Sequence, residues 1–200
     1  MGNQFIRHAA TLNKMLNWVG LPIDGIDYKT NSEVRSLAMG NQHETIKEIF
    51  NYLHHNPSPV KIKLTTVVTQ ANMGALDSVV SFVINLPAVD FKAWRFYQFC
   101  PLGMSKGKRD KLEISTEQFI FAMNELKSKY NNYPISWATF EERDKANVVM
   151  EPNFDVILPD GEKYRHLCNM EKDSESLIIS KITQEKEILE KCANNRKWVY

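Results

Sequence analysis

The chain has 200 residues, of which 43% are hydrophobic and 24% are charged, and its formal net charge is +1. These values are ordinary for one soluble globular domain, and they give no reason to expect a nucleic acid or an anionic membrane as a partner. No apolar stretch reaches the length of a membrane-spanning helix, and the N-terminus lacks a signal-peptide core, so we expect a cytoplasmic protein.

Strand and helix patterns alternate along the first half of the chain. Short apolar runs bounded by turn residues predict strands, and apolar residues spaced by three and four positions predict helices. The predicted order is strand 16–23, helix 43–54, strand 60–69, helix 75–86 and strand 91–100. This alternation predicts an α/β fold with a parallel sheet.

The strand from Val60 to Thr69 carries two different rows of side chains. Lys63 and Thr65 belong to one row, whereas Ile62 and Leu64 belong to the other, apolar row. Because side chains alternate across a strand, this pattern suits a barrel with helices outside and a ligand inside. The alternative is a half-exposed edge strand with one wet face.

The next predicted strand carries an arginine among aromatic residues. Arg95 shares a face with Ala93 and Tyr97. Burying a guanidinium without a partner is costly, so Arg95 needs an anion or another hydrogen-bonding group. A bound ligand can supply that anion, and a structural ion pair with Asp24 or Asp27 is the alternative.

The second half of the chain differs in character. A basic loop at 105–111 is interpreted as a solvated connection rather than a phosphate-binding loop. Ser115 is a predicted N-cap for an amphipathic helix that ends near residue 131. Short strands are predicted at 148–150 and 154–158, with a tight turn at 159–161. The charged tail from 180 to 198 is predicted to be helical.

The three cysteines, Cys100, Cys168 and Cys192, are widely spaced. Such spacing predicts neither a disulfide framework nor a metal site. His166 and Cys168 share one face of a strand, but nothing nearby in the sequence completes a metal site, so both are interpreted as structural.

Three segments together resemble the radical S-adenosylmethionine (radical SAM) enzymes, with the viperin-like branch the nearest variety. WVGLPIDGID at 18–27, followed by Asn31 and Arg35, resembles the fourth strand and its loop. KLTTVVTQAN at 63–72 is similar to the fifth strand, and AWRFYQFCPLG at 93–103 is similar to the sixth. The resemblance covers about residues 12 to 165.

The resemblance implies a fold, a cofactor and two groups of residues. Residues 1–104 would form the C-terminal half of a partial (β/α) barrel, and residues 105–200 a C-terminal helix, β-hairpin and helical tail packed on it as one domain. S-adenosylmethionine is the implied cofactor. The residues implied near the cofactor are Asp24, Asn31 and Arg35, and those on the side of a small-molecule or nucleotide substrate are Lys63, Thr65, Arg95 and Tyr97.

Several features of the family are missing. The chain has neither the Cys-x3-Cys-x2-Cys motif that holds the [4Fe-4S] cluster nor the glycine-rich Gly-Gly-Glu-Pro-like segment. Pro22 stands where members often place a cofactor-binding serine, and it cannot donate a hydrogen bond. Ala93 replaces one of the basic residues of the viperin-like branch. A [4Fe-4S] cluster is therefore expected only in a missing N-terminal half.

Three functions are compatible with these features. The chain is a fragment or split half of a radical SAM enzyme that needs the missing half, a degenerate relative that binds an anion or nucleotide without radical chemistry, or a protein-interaction module. A barrel that begins near the fourth strand exposes the edge of the strand at 16–23. We therefore expect pairing with the missing barrel half or self-association.

Overall fold

The computed structural model describes residues 7–9, 11, 16–35, 41–89, 91–101, 107–143, 149–150, 153–160, 163–186 and 190. The chain divides into two compact units, one of residues 1–99 with 110–139 and the other of residues 100–109 with 140–200. The domain division predicted at residue 104 lies outside the described residues. No helix in the described ranges is long and apolar enough to cross a membrane.

The first unit contains a parallel sheet of four strands. In spatial order they are β1 (Trp18–Pro22), β2 (Lys61–Val68), β3 (Phe91–Gln98) and β4 (Ile135–Ala138). The spatial order is also the chain order. The predicted α/β fold is confirmed, and the sheet has one strand, β4, that the sequence patterns did not predict.

Helices connect the strands. They are α1 (Tyr28–Val34), α2 (Gln42–His55), α3 (Leu76–Ile84, which follows a 3-10 turn at Met73–Ala75), α4 (Arg109–Leu112) and α5 (Thr116–Lys129). Both helices predicted before the third strand are confirmed as α2 and α3. The helix α1 was not predicted.

The N-terminus of α5 confirms the predicted cap. The Ser115 hydroxyl accepts a hydrogen bond from the Gln118 N–H at 3.2 Å, and the Gln118 side chain accepts one from the Ser115 N–H at 2.9 Å. This reciprocal arrangement satisfies two N–H groups that the helix itself leaves unpaired. Phe119, Met123 and Leu126 then lie on one buried face of the helix.

The core of the first unit lies on one face of the sheet. Leu21, Leu64, Trp94 and Ile135 form one row of this face, because they are partners in the register of the four strands. The buried apolar residues of α2, α3 and α5 belong to the same cluster. The other strand residues of the cluster, on the same face as that row, are Val19, Ile23, Ile62, Val68, Phe91, Phe96 and Trp137. The helices therefore cover one face, and the opposite face has a different composition.

Strand β1 lies at one end of the sheet. The Lys61 N–H donates to the Asn17 carbonyl at 3.0 Å, and the Ile23 N–H donates to the Thr65 carbonyl at 2.9 Å. In a parallel ladder, alternate residues bond to the same neighbouring strand. The backbone groups of Trp18, Gly20 and Pro22 are therefore directed away from β2.

The second unit contains a three-stranded antiparallel sheet. Its strands are β5 (Val149–Met150), β6 (Asp155–Asp160) and β7 (Lys163–Asn169). The same unit contains the helices α6 (Phe140–Arg143) and α7 (Glu175–Gln184). The predicted short strands are confirmed as β5 and β6. The turn predicted at 159–161 is wrong in its first two residues, because Pro159 and Asp160 pair with β7 at the end of β6. Gly161 lies outside the described residues. The predicted helical tail begins earlier than expected, at Glu175, and most of it beyond Gln184 is not among the described residues.

Gly25, in the turn after β1, occupies a position with no room for a side chain. A Cβ atom there would lie 2.7 Å from both Cβ and Cγ2 of Thr30. Thr30 cannot move away easily, because its N–H and its hydroxyl both donate to the Asp27 carboxylate at 2.8 Å.

We therefore expect Gly25→Ala to lower the free energy of unfolding by about 1–3 kcal/mol, measured by urea denaturation. Gly20→Ala is the matched control, because a Cβ at Gly20 would meet no atom within 4 Å. Equal stability of the two variants would contradict the close approach of Gly25 to Thr30.

Candidate functional site

The candidate site is the sheet face opposite the helices, together with the turns at its carboxyl edge. In α/β sheets of parallel strands, ligands bind beyond the carboxyl ends of the strands. The residues predicted to bind the cofactor lie on the segment that leaves β1, and those predicted to bind the substrate lie on β2 and β3.

The register of the sheet brings the predicted substrate residues onto one face. Pro22, Thr65, Arg95 and Ser136 are successive partners across the four strands and form one row. The row nearer the amino ends is Gly20, Lys63 and Ala93, and the row nearer the carboxyl ends is Val67, Tyr97 and Ala138. Lys63 and Thr65 of β2 therefore share one face of the sheet with Arg95 and Tyr97 of β3.

Arg95 lies at the centre of this face and is only 8% exposed. Lys63, Thr65, Tyr97 and Ser136 around it are half-buried. The guanidinium of an arginine presents several N–H donors in one plane, a geometry that matches carboxylates and phosphates. Neighbouring strands are about 4.8 Å apart, so the ends of the Lys63 and Arg95 side chains can reach a common anion.

Asp24 and Arg35 form an ion pair at the carboxyl end of β1. Arg35 Nε donates to Asp24 Oδ2, and Arg35 Nη2 lies 3.4 Å from Asp24 Oδ1. The Val67 N–H of β2 donates to the same carboxylate at 2.7 Å. The Asp24 side chain is fully buried, whereas the Arg35 side chain is 31% exposed. Asp24, considered in the sequence analysis as a partner for Arg95, is thus the partner of Arg35.

Asn72 ties the turns after β1 and β2 together. Its side-chain amide donates to the carbonyls of Asp24 and Val67, both at 2.8 Å. Its Oδ1 accepts from the N–H and the hydroxyl of Thr69 at 2.8 and 3.0 Å. Both side chains are fully buried. Sequence reasoning gave Asn72 no role, although it ends the segment that resembles the fifth radical SAM strand.

Asn31 holds the turn in front of α1. Its side-chain amide donates to the carbonyls of Gly25 at 3.0 Å and Asp27 at 2.9 Å. Its Oδ1 is buried and has no hydrogen-bond partner in the described part of the chain. Asp27 caps the helix, and the Thr30 N–H that donates to its carboxylate lowers the pKa of Asp27. Asn31 lies in α1, and Arg35 is the C-cap residue of the same helix. Both therefore come shortly after the turn at Gly25.

Ser136 is a polar residue of this face that sequence reasoning missed. It is the partner of Arg95 in the register of β3 and β4, on the other side of Arg95 from Thr65. Sequence reasoning could have found Ser136 only by first predicting strand β4. That strand has just four residues, too few to show a clear alternation.

Metal ligation has little support among the described residues. They contain no group of three or more His, Cys, Asp or Glu side chains that could hold a metal ion. Cys168 is buried in the small core of the second unit with Val156, Leu158 and Leu167, and burial raises the pKa of its thiol. His166 Nε2 lies 3.1 Å from Asp155 Oδ1 on the neighbouring strand. Cys192 lies outside the described residues.

A separate cavity of about 290 Å³ opens near the amino end of β2. It lies between the end of α2 and the segment before β3, and Leu53, His54, Val60 and Val89 are among its lining residues. None of the predicted site residues lines it. The cavity is therefore distinct from the polar face and from the turns at the carboxyl edge.

No protein-family model matches this chain, and no curated protein matches it either. The chemistry must therefore be argued from the described arrangement. That arrangement offers a buried arginine between two hydroxyls on the sheet face, and a partly exposed arginine fixed by a buried carboxylate at the carboxyl edge. Both arginines suit the recognition of anionic groups.

Proposed function

We propose that this chain is the C-terminal half of a radical SAM enzyme, which binds S-adenosylmethionine and an anionic substrate and depends on a separate half for its iron–sulfur cluster. The observation that carries the proposal is the topology of the first unit. Its parallel strands follow one another in chain order, the helices pack on one face, and the charged side chains lie on the other.

This topology is typical of part of a (β/α) barrel. In a barrel, consecutive parallel strands are neighbours, helices form the outer layer, and the ligand is bound within the ring of carboxyl ends. A doubly wound sheet differs, because its strand order reverses and helices cover both faces. The sequential order and the one-sided core support the barrel alternative.

Arg35 is the residue best suited to bind S-adenosylmethionine. Its guanidinium is 31% exposed and is oriented by the buried Asp24 carboxylate, so it can donate to the carboxylate of the methionine moiety. Asn31 Oδ1, which lacks a partner among the described residues, can accept from an N–H of the same moiety. Asp24 has a positioning role, because it is fully buried and contacts Arg35 rather than solvent.

The described residues do not fit a [4Fe-4S] cluster. Three thiolates must converge on such a cluster, whereas Cys100 and Cys168 are far apart in sequence and no suitable group of ligands is found in the described ranges. We therefore assign no step of the chemistry to a cluster on this chain. The complementary half of the barrel must contribute it.

The proposal predicts that the chain binds S-adenosylmethionine and that Arg35→Ala weakens this binding by about tenfold to a hundredfold, since hydrogen bonds to charged groups contribute about 1.5–3 kcal/mol. Isothermal titration calorimetry with S-adenosylmethionine measures this. Arg165→Ala is the matched control, because Arg165 pairs with Glu185 in the other unit. Failure of the wild-type chain to bind, or equal affinities of the two variants, would contradict the proposal.

The second candidate function is a binding module for anions or nucleotides without radical chemistry. The buried Arg95 on the polar face favours it independently of Arg35. A chain that binds an inorganic oxyanion but no S-adenosylmethionine would support this alternative. The same calorimetric titrations distinguish the two functions.

A further inference from the structure

Two asparagine side chains hold the turn after β1. Asn31, which follows the turn, donates to the carbonyls of Gly25 and Asp27. Asn72, which lies 48 positions after Asp24, donates to the Asp24 carbonyl at 2.8 Å. Three carbonyls of this short segment therefore accept hydrogen bonds from side-chain amides.

The orientation of the Asn72 amide is fixed by its partners. Its Oδ1 faces the backbone N–H of Thr69 at 2.8 Å, and an N–H group can only donate. Its Nδ2 faces the carbonyls of Asp24 and Val67, and a carbonyl can only accept. The oxygen and the nitrogen of the amide therefore cannot exchange places.

Asp24, Val67 and Asn72 form a closed set of hydrogen bonds. The Val67 N–H donates to the Asp24 carboxylate at 2.7 Å, and the Asn72 amide donates to the carbonyls of both residues at 2.8 Å. The main chain of Asp24 is thus held by Asn72, and its side chain is held by Val67. Both Asp24 and Asn72 are fully buried, so the loss of one of these bonds is costly.

The Asp24 carboxylate also orients Arg35. Arg35 Nε donates to Asp24 Oδ2, and the Arg35 side chain is 31% exposed. Among the described residues, the Asn72 side chain bonds to Asp24, Val67 and Thr69. Its influence on Arg35 must therefore pass through Asp24, either directly or by way of Val67.

We infer that Asn72 is a positioning residue for Arg35, because it fixes the main chain of the residue that orients the guanidinium. A hydrogen bond weakens steeply away from linear geometry, so a small rotation of Asp24 is enough to misalign Arg35. The ligand in this inference, S-adenosylmethionine, rests on the proposed function. The effect of Asn72 on Arg35 can also be measured without a ligand.

Asn72→Ser tests the inference. Serine is small and polar, but it has no amide to donate to the carbonyls of Asp24 and Val67. We expect Asn72→Ser to weaken the binding of S-adenosylmethionine by about threefold to tenfold, the effect of one hydrogen bond, measured by isothermal titration calorimetry. It should have no further effect in the Arg35→Ala chain, because its effect passes through Arg35.

Asn169→Ser is the matched control. Asn169 is also a buried asparagine that holds a turn, but it belongs to the second unit. Its amide donates to the Asn153 carbonyl at 3.1 Å, and its Oδ1 accepts from the N–H groups of Glu171 and Lys172. Its replacement should leave the affinity for S-adenosylmethionine unchanged.

Hydrogen exchange of the Arg35 Nε–H, followed by nuclear magnetic resonance, distinguishes positioning from a general loss of stability. This group donates to a buried carboxylate, so its hydrogen should exchange slowly in the wild type. Asn72→Ser should speed the exchange by at least about tenfold, and Asn169→Ser should leave it unchanged. Circular dichroism confirms that each variant is folded. If Asn72→Ser does not fold, Asn72→Asp replaces it, because it keeps the acceptor for Thr69 and loses both donors.

The inference is wrong if the Arg35 Nε–H exchanges equally slowly in the wild type and in the Asn72 variant. It is also wrong if the Asn72 substitution weakens binding in the Arg35→Ala chain as much as in the wild type. If the wild type does not bind S-adenosylmethionine, the proposed function fails, and the exchange measurement alone decides the role of Asn72. The inference and the proposed function therefore fail separately.

Discussion

Asp24→Ala should lower the free energy of unfolding by about 3 kcal/mol, the lower end of the cost of breaking a buried ion pair. The substitution removes the partner of Arg35 and the acceptor of the Val67 N–H, and the site of the lost carboxylate is fully buried. The lower end applies because the Arg35 side chain is 31% exposed and water partly solvates it. Urea denaturation followed by circular dichroism measures the change.

Two control variants test the effects of the Asp24 charge and of its burial. Asp24→Asn keeps an acceptor for Val67 and should cost less than Asp24→Ala. Asp77→Ala removes a carboxylate that pairs with Lys129 and accepts from the Tyr130 hydroxyl at 2.8 Å. It should cost less than Asp24→Ala, because the side chains of this pair are 52% and 60% exposed. An equal loss from Asp24→Ala and Asp77→Ala would show that burial of the Asp24 pair does not matter.

Trp94→Ala should destabilise the first unit by about 3–5 kcal/mol, as expected for the loss of a fully buried tryptophan. Trp94 is 0% exposed in β3, it stacks on Phe96 with ring centres 5.2 Å apart, and its indole N–H donates to the Thr66 hydroxyl at 2.9 Å. Because that hydroxyl in turn donates to the Ile23 carbonyl, one chain of hydrogen bonds links the indole of β3 to β2 and to the residue that follows β1.

Trp94→Phe should cost less, since it keeps most of the buried apolar area and loses the N–H donor. Trp18→Ala at the half-buried start of β1 should also cost less than Trp94→Ala. Thermal and urea unfolding monitored together compare the three variants. If Trp94→Ala were no more harmful than Trp18→Ala, the packing of Trp94 in the core would be contradicted.

Strong periodicity made much of the fold predictable. The alternating residues of β2 and the apolar spacing of α2 and α3 extend over eight, fourteen and nine residues, so their patterns are clear in the sequence. The same alternation placed Lys63 and Thr65 in one row of β2, and Arg95 and Tyr97 in one row of β3. Strand alternation and helical spacing depend on local backbone geometry, so they can be recognised in the sequence alone.

Two elements lacked such a signal. Strand β4 has only four residues, Ile135–Ala138, and a run this short shows no clear period. Helix α1 contains Thr30, Asn31 and Ser32, which are poor helix formers, and it depends on the cap supplied by Asp27. Since β4 was not predicted, Ser136 was not considered as a site residue.

The contacts at the carboxyl edge were beyond sequence reasoning for a different reason. Asp24 and Arg35 are eleven residues apart, and Asn72 contacts the Asp24 carbonyl across 48 positions. Such contacts depend on how two turns approach each other once the sheet has formed. The resemblance to radical SAM enzymes placed Asp24 and Arg35 near one site, but not as partners in an ion pair.

The position of Pro22 has a consequence for any strand that extends the sheet beyond β1. Because the backbone groups of Trp18, Gly20 and Pro22 are directed away from β2, they are the ones that an added strand would meet. Proline has no N–H to offer there. A strand laid along β1 can still donate to the Pro22 carbonyl, but it receives no N–H from Pro22. Such a strand therefore loses one backbone hydrogen bond at the carboxyl edge, two residues before Asp24.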